Sequence, residues 1–494
     1  MIEEIQVEEP IQLDDYGTDA TLVAAVNELR REAETLVPRL KGRRVWMINS
    51  TSSGGGVAEM LPKIVSIMNE LGVETRWLVL HSEGEEFFRV TKHIHNMIHG
   101  VDGRKLCQRD REILEQGARE NFDDLADRLG KEDFLVVHDP QPLSLGAMAA
   151  EKLGMPFIWR SHIGVDKANE QSDAAWEFLE PYACMADTAI FSAPEYIPSY
   201  LVRKSSVIPP AIDPLSHKNR YLSPIKTMGI LCNSGLATAH APTLFPDFKH
   251  LAQRFRADGT FSAAKENGDI GIPYRPLITQ VSRWDKLKGW DHLLDAFVLL
   301  KERAEDSSIS DRQRRRLEIV RLVMAGPDPA SVADDPESRE VLDHLCEQYK
   351  RLPAKLQDDV ALVVLPMDSR KENALMVNVL QRCSTIVVQN SVEEGFGLTA
   401  AEALFKRVAF VGTRACGLRQ QVRDKMEGRL VSSAENVGEL ADTLFELLED
   451  SMLRDTYARN GQRRIHDEFL VFKQVERLLE TFVKTLDVRN GKSG

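Results

Sequence analysis

Two basic side chains in the second half of the sequence have the type and spacing that suit a phosphate-binding site. Arg283 and Lys288 lie in the segment 282–289, directly after the apolar run 277–281. Two fixed cations at the end of a strand can neutralise a diphosphate leaving group without a metal ion. Basic residues are common on loops, so the alternative is a pair of solvated side chains with no catalytic role.

Two glutamates farther along the chain, Glu394 and Glu402, have a complementary pattern. A carboxylate in a loop can accept hydrogen bonds from sugar hydroxyls, and one inside the following helix can accept both hydroxyls of a ribose. The alternative is a pair of surface acids at a helix start, with Glu402 in a salt bridge. Four residues between the two glutamates would belong to the same predicted sugar- and ribose-binding site. They are Gly395, Phe396, Gly397 and Leu398.

A glycine loop in the first half of the chain is a third candidate. Gly54, Gly55 and Gly56 follow the apolar run 45–48 and open a helical pattern. Backbone N–H groups of Gly55 and Gly56 can approach an anion closely at a helix N-terminus. The loop matches neither the dinucleotide fingerprint nor the P-loop motif, and a simple tight turn explains it equally well.

Two polar residues end further predicted strands of the first half. His162 follows the apolar run 156–160, and Asp139 follows the run 134–137. His162 could hold a hydroxyl of the donor sugar, and Asp139 could bind an acceptor hydroxyl. A structural histidine and a turn-forming aspartate before proline are the alternatives.

The elements that position these residues form two series of alternating strands and helices. Apolar runs predict strands at 45–48, 75–80, 134–137, 156–160, 188–192 and 206–208, and again at 277–281, 319–324, 360–365, 385–389 and 408–411. Such alternation predicts an α/β fold with two doubly wound, Rossmann-like domains, and ligands bind such sheets at the carboxyl ends of the strands. The predicted organisation is an N-terminal extension, a first domain, a linker with an insertion, a second domain and a final helix that crosses back, at residues 1–40, 41–226, 227–272, 273–470 and 471–494.

Composition excludes several functional classes. The 494 residues carry a formal charge of −13, which disfavours a nucleic-acid-binding surface. No apolar run is long enough to span a bilayer, so we expect no membrane association. The six cysteines form no C-x-x-C pair, which is typical of reduced thiols in a cytoplasmic protein. No Asp-x-Asp motif stands where a nucleotide-bound metal would need it, so we expect neither a metal nor a cofactor.

Together these motifs resemble the retaining glycosyltransferases of the GT-B fold, whose two domains face each other across a cleft. The sequence is most similar to the glycosyltransferring trehalose synthases and the fungal-type retaining trehalose phosphorylases. The resemblance covers residues from about 40 to 480. Its phrases lie at 49–51, 54–59, 138–142, 159–162, 208–216, 280–289 and 393–402.

The resemblance implies a reaction and a role for each candidate. Glucose would pass from a nucleoside diphosphate (ADP-, UDP- or GDP-glucose) to a small sugar acceptor, with retention of configuration. Arg283 and Lys288 would hold the leaving phosphates, Glu394 the glucose and Glu402 the ribose. The first domain would bind the acceptor and the second the nucleotide sugar. Asp139, Glu59 and Asn49 would lie near the acceptor, and His162 would line the reacting centre.

The sequence is also compatible with other functions. A trehalose phosphorylase would use inorganic phosphate in place of the nucleotide, and a related glucosyltransferase would use another small acceptor. A catalytically silent sugar-nucleotide-binding protein would not need both cations and both glutamates, and a GT-B epimerase resembles this motif set less. The sequence does not decide the nucleotide base or the oligomeric state, with a homodimer among the alternatives.

Overall fold

The computed structural model describes residues 2–7, 10–17, 19–52, 56–82, 84–101, 103–238, 246–266, 268–331 and 336–491. The chain forms two compact units. The first comprises Met1–Asp213 and Asp467–Gly494, and the second comprises Pro214–His466. The division therefore falls thirteen positions before the boundary expected at residue 226, and the expected linker 227–272 belongs to the second unit.

The first unit is built on a seven-stranded sheet. Its strands are β1 (Glu3–Ile5), β2 (Val45–Asn49), β3 (Thr75–Val79), β4 (Phe134–His138), β5 (Phe157–Ser161), β6 (Thr188–Phe191) and β7 (Ser205–Val207). The order across the sheet is β1-β3-β2-β4-β5-β6-β7, parallel except for β1. Strands β2, β4 and β5 are buried along their whole length, which explains their nearly continuous apolar sequence.

In the described part of this unit, six α-helices connect or precede these strands. They are α1 (Ala20–Leu36), α2 (Gly56–Glu70), α3 (Glu85–Ile98), α4 (Gln108–Ala126), α5 (Leu143–Leu153) and α6 (Glu170–Ala183). Local signals set their ends. The Asp19 side chain accepts from the Thr21 backbone N–H at the start of α1, and Gly154 ends α5 in the left-handed conformation at φ +68°.

The second unit is built on an eight-stranded sheet. Its strands are β8 (Gln253–Phe255), β9 (Phe261–Ser262), β10 (Leu277–Val281), β11 (Arg321–Pro327), β12 (Val360–Leu365), β13 (Ile386–Gln389), β14 (Ala409–Thr413) and β15 (Arg429–Val431). The order is β15-β14-β13-β10-β11-β12-β8-β9, parallel except for the hairpin β8–β9 at one edge. This hairpin lies in the segment that the sequence presented as a linker with an insertion.

Helices cover both faces of the second sheet. They are α7 (Pro224–Asn233), α8 (Trp290–Glu302), α9 (Asp311–Ile319), α10 (Pro336–Arg351), α11 (Ala354–Asp359), α12 (Arg370–Cys383), α13 (Leu398–Phe405), α14 (Cys416–Gln421), α15 (Val437–Glu449) and α16 (Ser451–Glu468). Alternate strand residues point to opposite faces, so Leu322 and Met324 join one buried cluster while Val323 and Ala325 join the other.

The two ends of the chain pack together in the first unit. The last helix, α17 (Val471–Arg489), lies against α1, and the Phe472 ring contacts the Tyr16 ring edge-on with centroids 4.7 Å apart. Thr188 of β6 and Thr485 of α17 share a buried hydrogen bond of 2.8 Å. Residues 2–40 are thus part of this unit, because β1 extends its sheet and α1 covers α17.

The structure confirms the predicted α/β class and its two doubly wound, mostly parallel halves. The apolar runs at 277–281 and 360–365 coincide with β10 and β12. The pattern did not predict β1, β8, β9 or β15, which have two or three residues each. Among the described residues, no helix combines the length and apolar character needed to cross a bilayer.

We expect Tyr16→Phe to destabilise the first unit. The Tyr16 hydroxyl donates a 3.0 Å hydrogen bond to Oδ1 of buried Asp213, and burial raises the pKa of that hydroxyl, so it stays protonated. Losing a buried hydrogen bond to a carboxylate should lower the free energy of unfolding by about 2 kcal/mol, measured by urea denaturation. Tyr221→Phe, at a side chain that is 77% exposed, is the control and should change nothing. Equal stability of the two variants would contradict the assigned role of Asp213.

Candidate functional site

Residues predicted to bind the sugar donor lie at the topological switch point of the second sheet. Strands β10 and β13 are neighbours there, and the chain order reverses between them, since β11 and β12 continue on one side and β14 and β15 on the other. Ligands of doubly wound sheets bind beyond the carboxyl ends of the strands at this point. The loop after β10 carries Lys288, and the loop after β13 carries Glu394.

The structure joins these two residues in an ion pair. Lys288 Nζ lies 2.9 Å from Oε2 of Glu394, and both side chains are largely buried. The same oxygen accepts from Gln389 Nε2 at 3.1 Å and from Ser391 Oγ at 3.0 Å. Within the described part of the chain, Oε1 of Glu394 accepts no hydrogen bond. The carboxylate is therefore held firmly by one oxygen and offers the other to a ligand.

Backbone contacts fix the loop that carries Lys288. Gln280 Nε2 donates to the Lys288 carbonyl at 2.8 Å, and Asn390 Nδ2 donates to the Gly289 carbonyl at 3.1 Å. Gly289 has φ +58°, and a Cβ there would lie 2.1 Å from the backbone oxygen of Asn390. Glycine is therefore required at this position, because the two loops approach each other at backbone distance.

The loop that carries Glu394 is held from the neighbouring strand connection. Gly417 N donates to the Glu394 carbonyl at 2.9 Å, and a Cβ at Gly417 would lie 2.3 Å from Cα of Phe396. Gln421 Nε2 donates to the carbonyls of Phe396 and Gly397, the latter at 3.2 Å. Gly397 is the N-cap of α13, directly before Leu398, and has φ +78°, so the loop enters the helix through a left-handed residue.

Arg283 stands apart from this pair. Its side chain is 64% exposed, and its ion-pair partner is Asp285 at 3.5 Å. Its backbone is anchored, because Trp290 Nε1 donates to the Arg283 carbonyl at 3.1 Å while the neighbouring Trp284 ring is fully buried. The structure thus brings Lys288 and Glu394 together but leaves the Arg283 guanidinium projecting from a fixed loop.

Glu402 is buried inside α13, only 6% exposed, which excludes the alternative of a solvated surface acid. Its Oε2 lies 3.4 Å from Gln381 Nε2 of α12. The amide of Gln381 is oriented by Lys406, whose Nζ donates to Gln381 Oε1 at 2.6 Å. Lys406 Nζ also donates to Asn219 Oδ1 at 3.1 Å and to the Glu402 carbonyl at 3.0 Å. Burial lowers the pKa of Lys406 to about 7, although Glu402 opposes the shift.

The first unit places its candidates around its own switch point, between β2 and β4. Gly56 begins α2, and Glu59 is exposed in its first turn. Gly55 lies outside the described residues. Asn49 ends β2 with both ends of its amide engaged, because Oδ1 accepts from Trp77 Nε1 at 2.8 Å and Nδ2 donates to the Thr51 carbonyl at 2.7 Å.

Asp139 and His162 meet at the carboxyl ends of β4 and β5. Asp139 has φ +63°, rare for a residue with a side chain, and its Oδ1 accepts from the His162 backbone N–H at 2.8 Å. Burial raises the pKa of the Asp139 carboxyl to about 6, against the lowering effects of the His162 N–H and Arg160. His138 Nδ1 lies 3.0 Å from His162 Nε2.

Two known protein families match this chain, one in each of its two units. The family described as "Trehalose synthase, N-terminal domain" matches residues 47–198, and "Glycosyl transferases group 1" matches residues 265–464. A trehalose synthase of Pyrococcus horikoshii is 31% identical over 458 residues, which cover 92% of each chain. The chain belongs to the trehalose synthase family.

More distant relatives place the family within a larger group. A trehalose phosphorylase of Pleurotus pulmonarius is 24% identical over 92% of this chain and 57% of its own length. The solved structure of a UDP-forming trehalose-phosphate synthase from Burkholderia xenovorans, in complex with glucose 6-phosphate, shares the GT-B fold with a TM-score of 0.60 at 14% identity, over 89% of this chain and all of that one. The protein is therefore a hexosyltransferase of the GT-B fold that is related to trehalose metabolism.

The sequence had not singled out several residues that position this family's candidate site. They are buried polar side chains at or next to the carboxyl ends of four strands: Gln280 in β10, Gln389 and Asn390 at the end of β13, Arg160 in β5 and His138 in β4. Polar residues near the ends of otherwise apolar strands can indicate such positions in a sequence. Burying a polar side chain is costly unless it is hydrogen-bonded, and here Gln280, Gln389 and Asn390 have partners in the loops of the site. Lys406 carried no such signal in the sequence.

We expect the stability contributed by Lys406 to depend on pH. Its pKa falls from 10.5 to about 7 on folding, so between these values the unfolded chain binds more protons than the folded one, and stability rises with pH. The free energy of unfolding of the wild type relative to Lys406→Met should therefore increase as pH is raised from 7 to about 10, measured by urea denaturation. Lys371→Met, at an exposed position of α12, is the control and should give a flat difference. The same flat difference for Lys406→Met would contradict the assignment.

Proposed function

We propose that this protein is a retaining glucosyltransferase that moves glucose from a nucleoside-diphosphate glucose to glucose and so forms trehalose. The observation that carries the proposal is the Lys288–Glu394 pair at the switch point of the second sheet, in which one carboxylate oxygen is fixed and the other accepts no hydrogen bond from the described residues. This arrangement provides a cation for a leaving phosphate beside an acceptor for sugar hydroxyls.

The second unit would bind the donor. Lys288 would hold the diphosphate, and the Arg283 guanidinium would turn from Asp285 toward it, since it is exposed and its ion pair with Asp285 is long, at 3.5 Å. The backbone N–H of Gly56, which begins α2, and that of Gly55 would also donate to a phosphate. Fixed cations in these positions make a metal ion unnecessary for charge neutralisation.

The two glutamates would bind different parts of the nucleotide sugar. Oε1 of Glu394 would accept hydrogen bonds from glucose hydroxyls, with Gly395, Phe396, Gly397 and Leu398 shaping the loop around the sugar. Glu402 would accept both ribose hydroxyls. Gln381 contacts one of its carboxylate oxygens at 3.4 Å, and the other would remain for a ligand.

The first unit would bind the acceptor. His162 is half-buried and would meet the transferred glucose, while Asp139 and Glu59 would bind acceptor hydroxyls. Asn49, whose amide is held by Trp77 and Thr51 at the end of β2, would lie near the acceptor.

The reaction would proceed on one face of the sugar. The bond between the anomeric carbon and the phosphate oxygen breaks, and a bond to the acceptor oxygen forms on the same face. The proton of the acceptor hydroxyl passes to the leaving phosphate, so no protein base is needed. Lys288 and Arg283 stabilise the negative charge that develops on the phosphate, and Glu394 favours the positive charge that develops on the glucosyl group.

A trehalose phosphorylase is the second candidate. The relationship to the Pleurotus enzyme favours it, and the same cations would bind inorganic phosphate. In that reaction, trehalose and phosphate give glucose 1-phosphate and glucose. A third possibility is a different acceptor, such as the sugar phosphate bound to the Burkholderia structure.

A donor–acceptor matrix tests the proposal. ADP-, UDP- and GDP-glucose are each combined with glucose, glucose 6-phosphate, glycerate or phosphate, and products are identified by chromatography. We expect trehalose from one of the nucleotide donors with free glucose, α-configured at both anomeric carbons by NMR, and undiminished by EDTA. Release of glucose 1-phosphate from trehalose and phosphate, without transfer from any nucleotide donor, would establish the phosphorylase instead. A strict requirement for Mg²⁺ would contradict the charge-neutralising role of Lys288 and Arg283.

The two glutamates should differ in their kinetic effects. Removing a ribose contact weakens the ground state and the transition state alike, so Glu402→Gln should raise KM for the donor with a smaller change in kcat. Glu394→Gln should mainly lower kcat, by about 10²-fold, because its hydrogen bonds strengthen as charge develops on the sugar.

Steady-state kinetics of both variants measures this difference, with Glu393→Gln, at an exposed neighbouring position, as the matched control. Wild-type kcat and KM in both variants would show that the donor site lies elsewhere. In a phosphorylase, Glu394→Gln would remain damaging while Glu402→Gln would have no effect, since no ribose is bound.

A further inference from the structure

Three side chains of the first sheet stand side by side on one face, at the carboxyl ends of β4 and β5. The strand register pairs His138 with Arg160, and His162 follows Arg160 by two positions along the chain. Side chains of paired residues in parallel strands point to the same face, as do residues two apart in an extended chain. The two imidazoles and the guanidinium therefore form one cluster.

The two imidazole rings are joined edge to edge. His138 Nδ1 and His162 Nε2 are 3.0 Å apart, the ring planes differ by 7°, and the centroids are 5.3 Å apart. That centroid separation equals the N···N distance plus a ring radius at each end, so the rings are nearly coplanar rather than stacked face to face. An in-plane N···N contact is the geometry of a hydrogen bond, because ring N–H groups and lone pairs lie in the ring plane.

Both rings carry one proton each. Burial, reinforced by the Arg160 charge, lowers the pKa of His138 and of His162 well below the usual value. Two neutral imidazoles can share this bond in only two ways. Either His138 donates from Nδ1 and both rings carry Nδ1–H, or His162 donates from Nε2 and both carry Nε2–H.

Arg160 decides between these two directions. It is 1% exposed, and within the described residues neither Nη1 nor Nη2 has a hydrogen-bond acceptor, while Nε2 of buried His138 also has no partner. The strand register pairs Arg160 with His138, so the guanidinium, which has no acceptor on Nη1 or Nη2 among the described residues, favours a lone pair over an N–H at the free nitrogen of that ring. The pattern with a lone pair on His138 Nε2 is the one in which His138 carries its proton on Nδ1.

We propose that His138 is a positioning residue that donates its Nδ1–H to Nε2 of His162, so that His162 presents Nδ1–H to the ligand of the site. Nδ1 of His162 has no hydrogen-bond partner among the described residues, and the side chain is half-buried. A fixed Nδ1–H donates to a sugar oxygen, whereas the other tautomer would accept from a hydroxyl. The inference rests on the proposed function only in naming a sugar as the ligand.

The tautomer is measured directly by ¹⁵N NMR of protein labelled at the histidine rings, without substrate. His162→Gln assigns the signals of His162 by their loss. We expect Nδ1 of His162 to show the shift of a protonated nitrogen and Nε2 that of an unprotonated one. A proton on Nε2 of His162 in the wild type would overturn the proposal, whatever the activity.

A matched pair of variants tests the role of His138. Leucine and asparagine have nearly the same shape, but only asparagine can place an N–H donor where Nδ1 stands. His138→Leu should shift the His162 proton toward Nε2 and lower kcat about tenfold, the value of one lost hydrogen bond. His138→Asn should restore the wild-type tautomer and most of kcat.

Controls separate this proposal from the proposed function. His95→Leu removes another partly buried histidine, from α3, and should change neither quantity. An unchanged His162 tautomer in His138→Leu would refute the positioning role, and so would equal effects of leucine and asparagine on the tautomer. If His162→Gln retains full transferase activity, the proposed catalytic site is wrong, while the wild-type ¹⁵N shifts still decide the proton position.

Discussion

The ion pair between Lys288 and Glu394 is the contact around which the second unit's site is arranged. It joins the loops that follow β10 and β13, two strands that are adjacent in space although more than a hundred positions apart in sequence. An ion pair this little exposed is stable only when the remaining hydrogen-bonding capacity of its atoms is met. Gln389 and Ser391 provide that support on Oε2, which ties the position of the carboxylate to the end of β13.

Close backbone approach is the second requirement of this arrangement. The pair forms because Gly289 lets the loops after β10 and β13 touch, and Gly417 lets the first turn of α14 touch the loop after β13, with no side chain between them. A Cβ at either position would meet backbone atoms rather than a movable side chain, so the loops would have to separate. The same glycines therefore keep the ion pair short. A separation of the loops would lengthen the Lys288–Glu394 contact and weaken its attraction.

Much of this fold was predictable because parallel strands buried on both faces have a simple apolar pattern. The loops after those strands marked Lys288, Glu394, Asp139 and His162 as candidates, since the carboxyl ends of the strands share one edge. Short edge strands such as β1 and β15 carry too few residues for a pattern, and the hairpin β8–β9 forms only by adding to β12. Gln381 and Lys406 were beyond prediction for another reason: their roles depend on hydrogen bonds that join α12 to the end of α13, which no local spacing encodes.

Both units place a buried cation behind the groups that would meet the ligand. Lys406 orients the Gln381 amide toward Glu402, and Arg160 lies beside the His138–His162 pair. In each case burial lowers the pKa of the cation, which is the sign of an unfavourable environment for its charge. The buried charge also orients its neighbours. A neutral amide or imidazole next to a fixed positive charge turns its lone pair toward that charge and its N–H away. The direction of the N–H groups in the site is thus set by charges that need not touch the substrate.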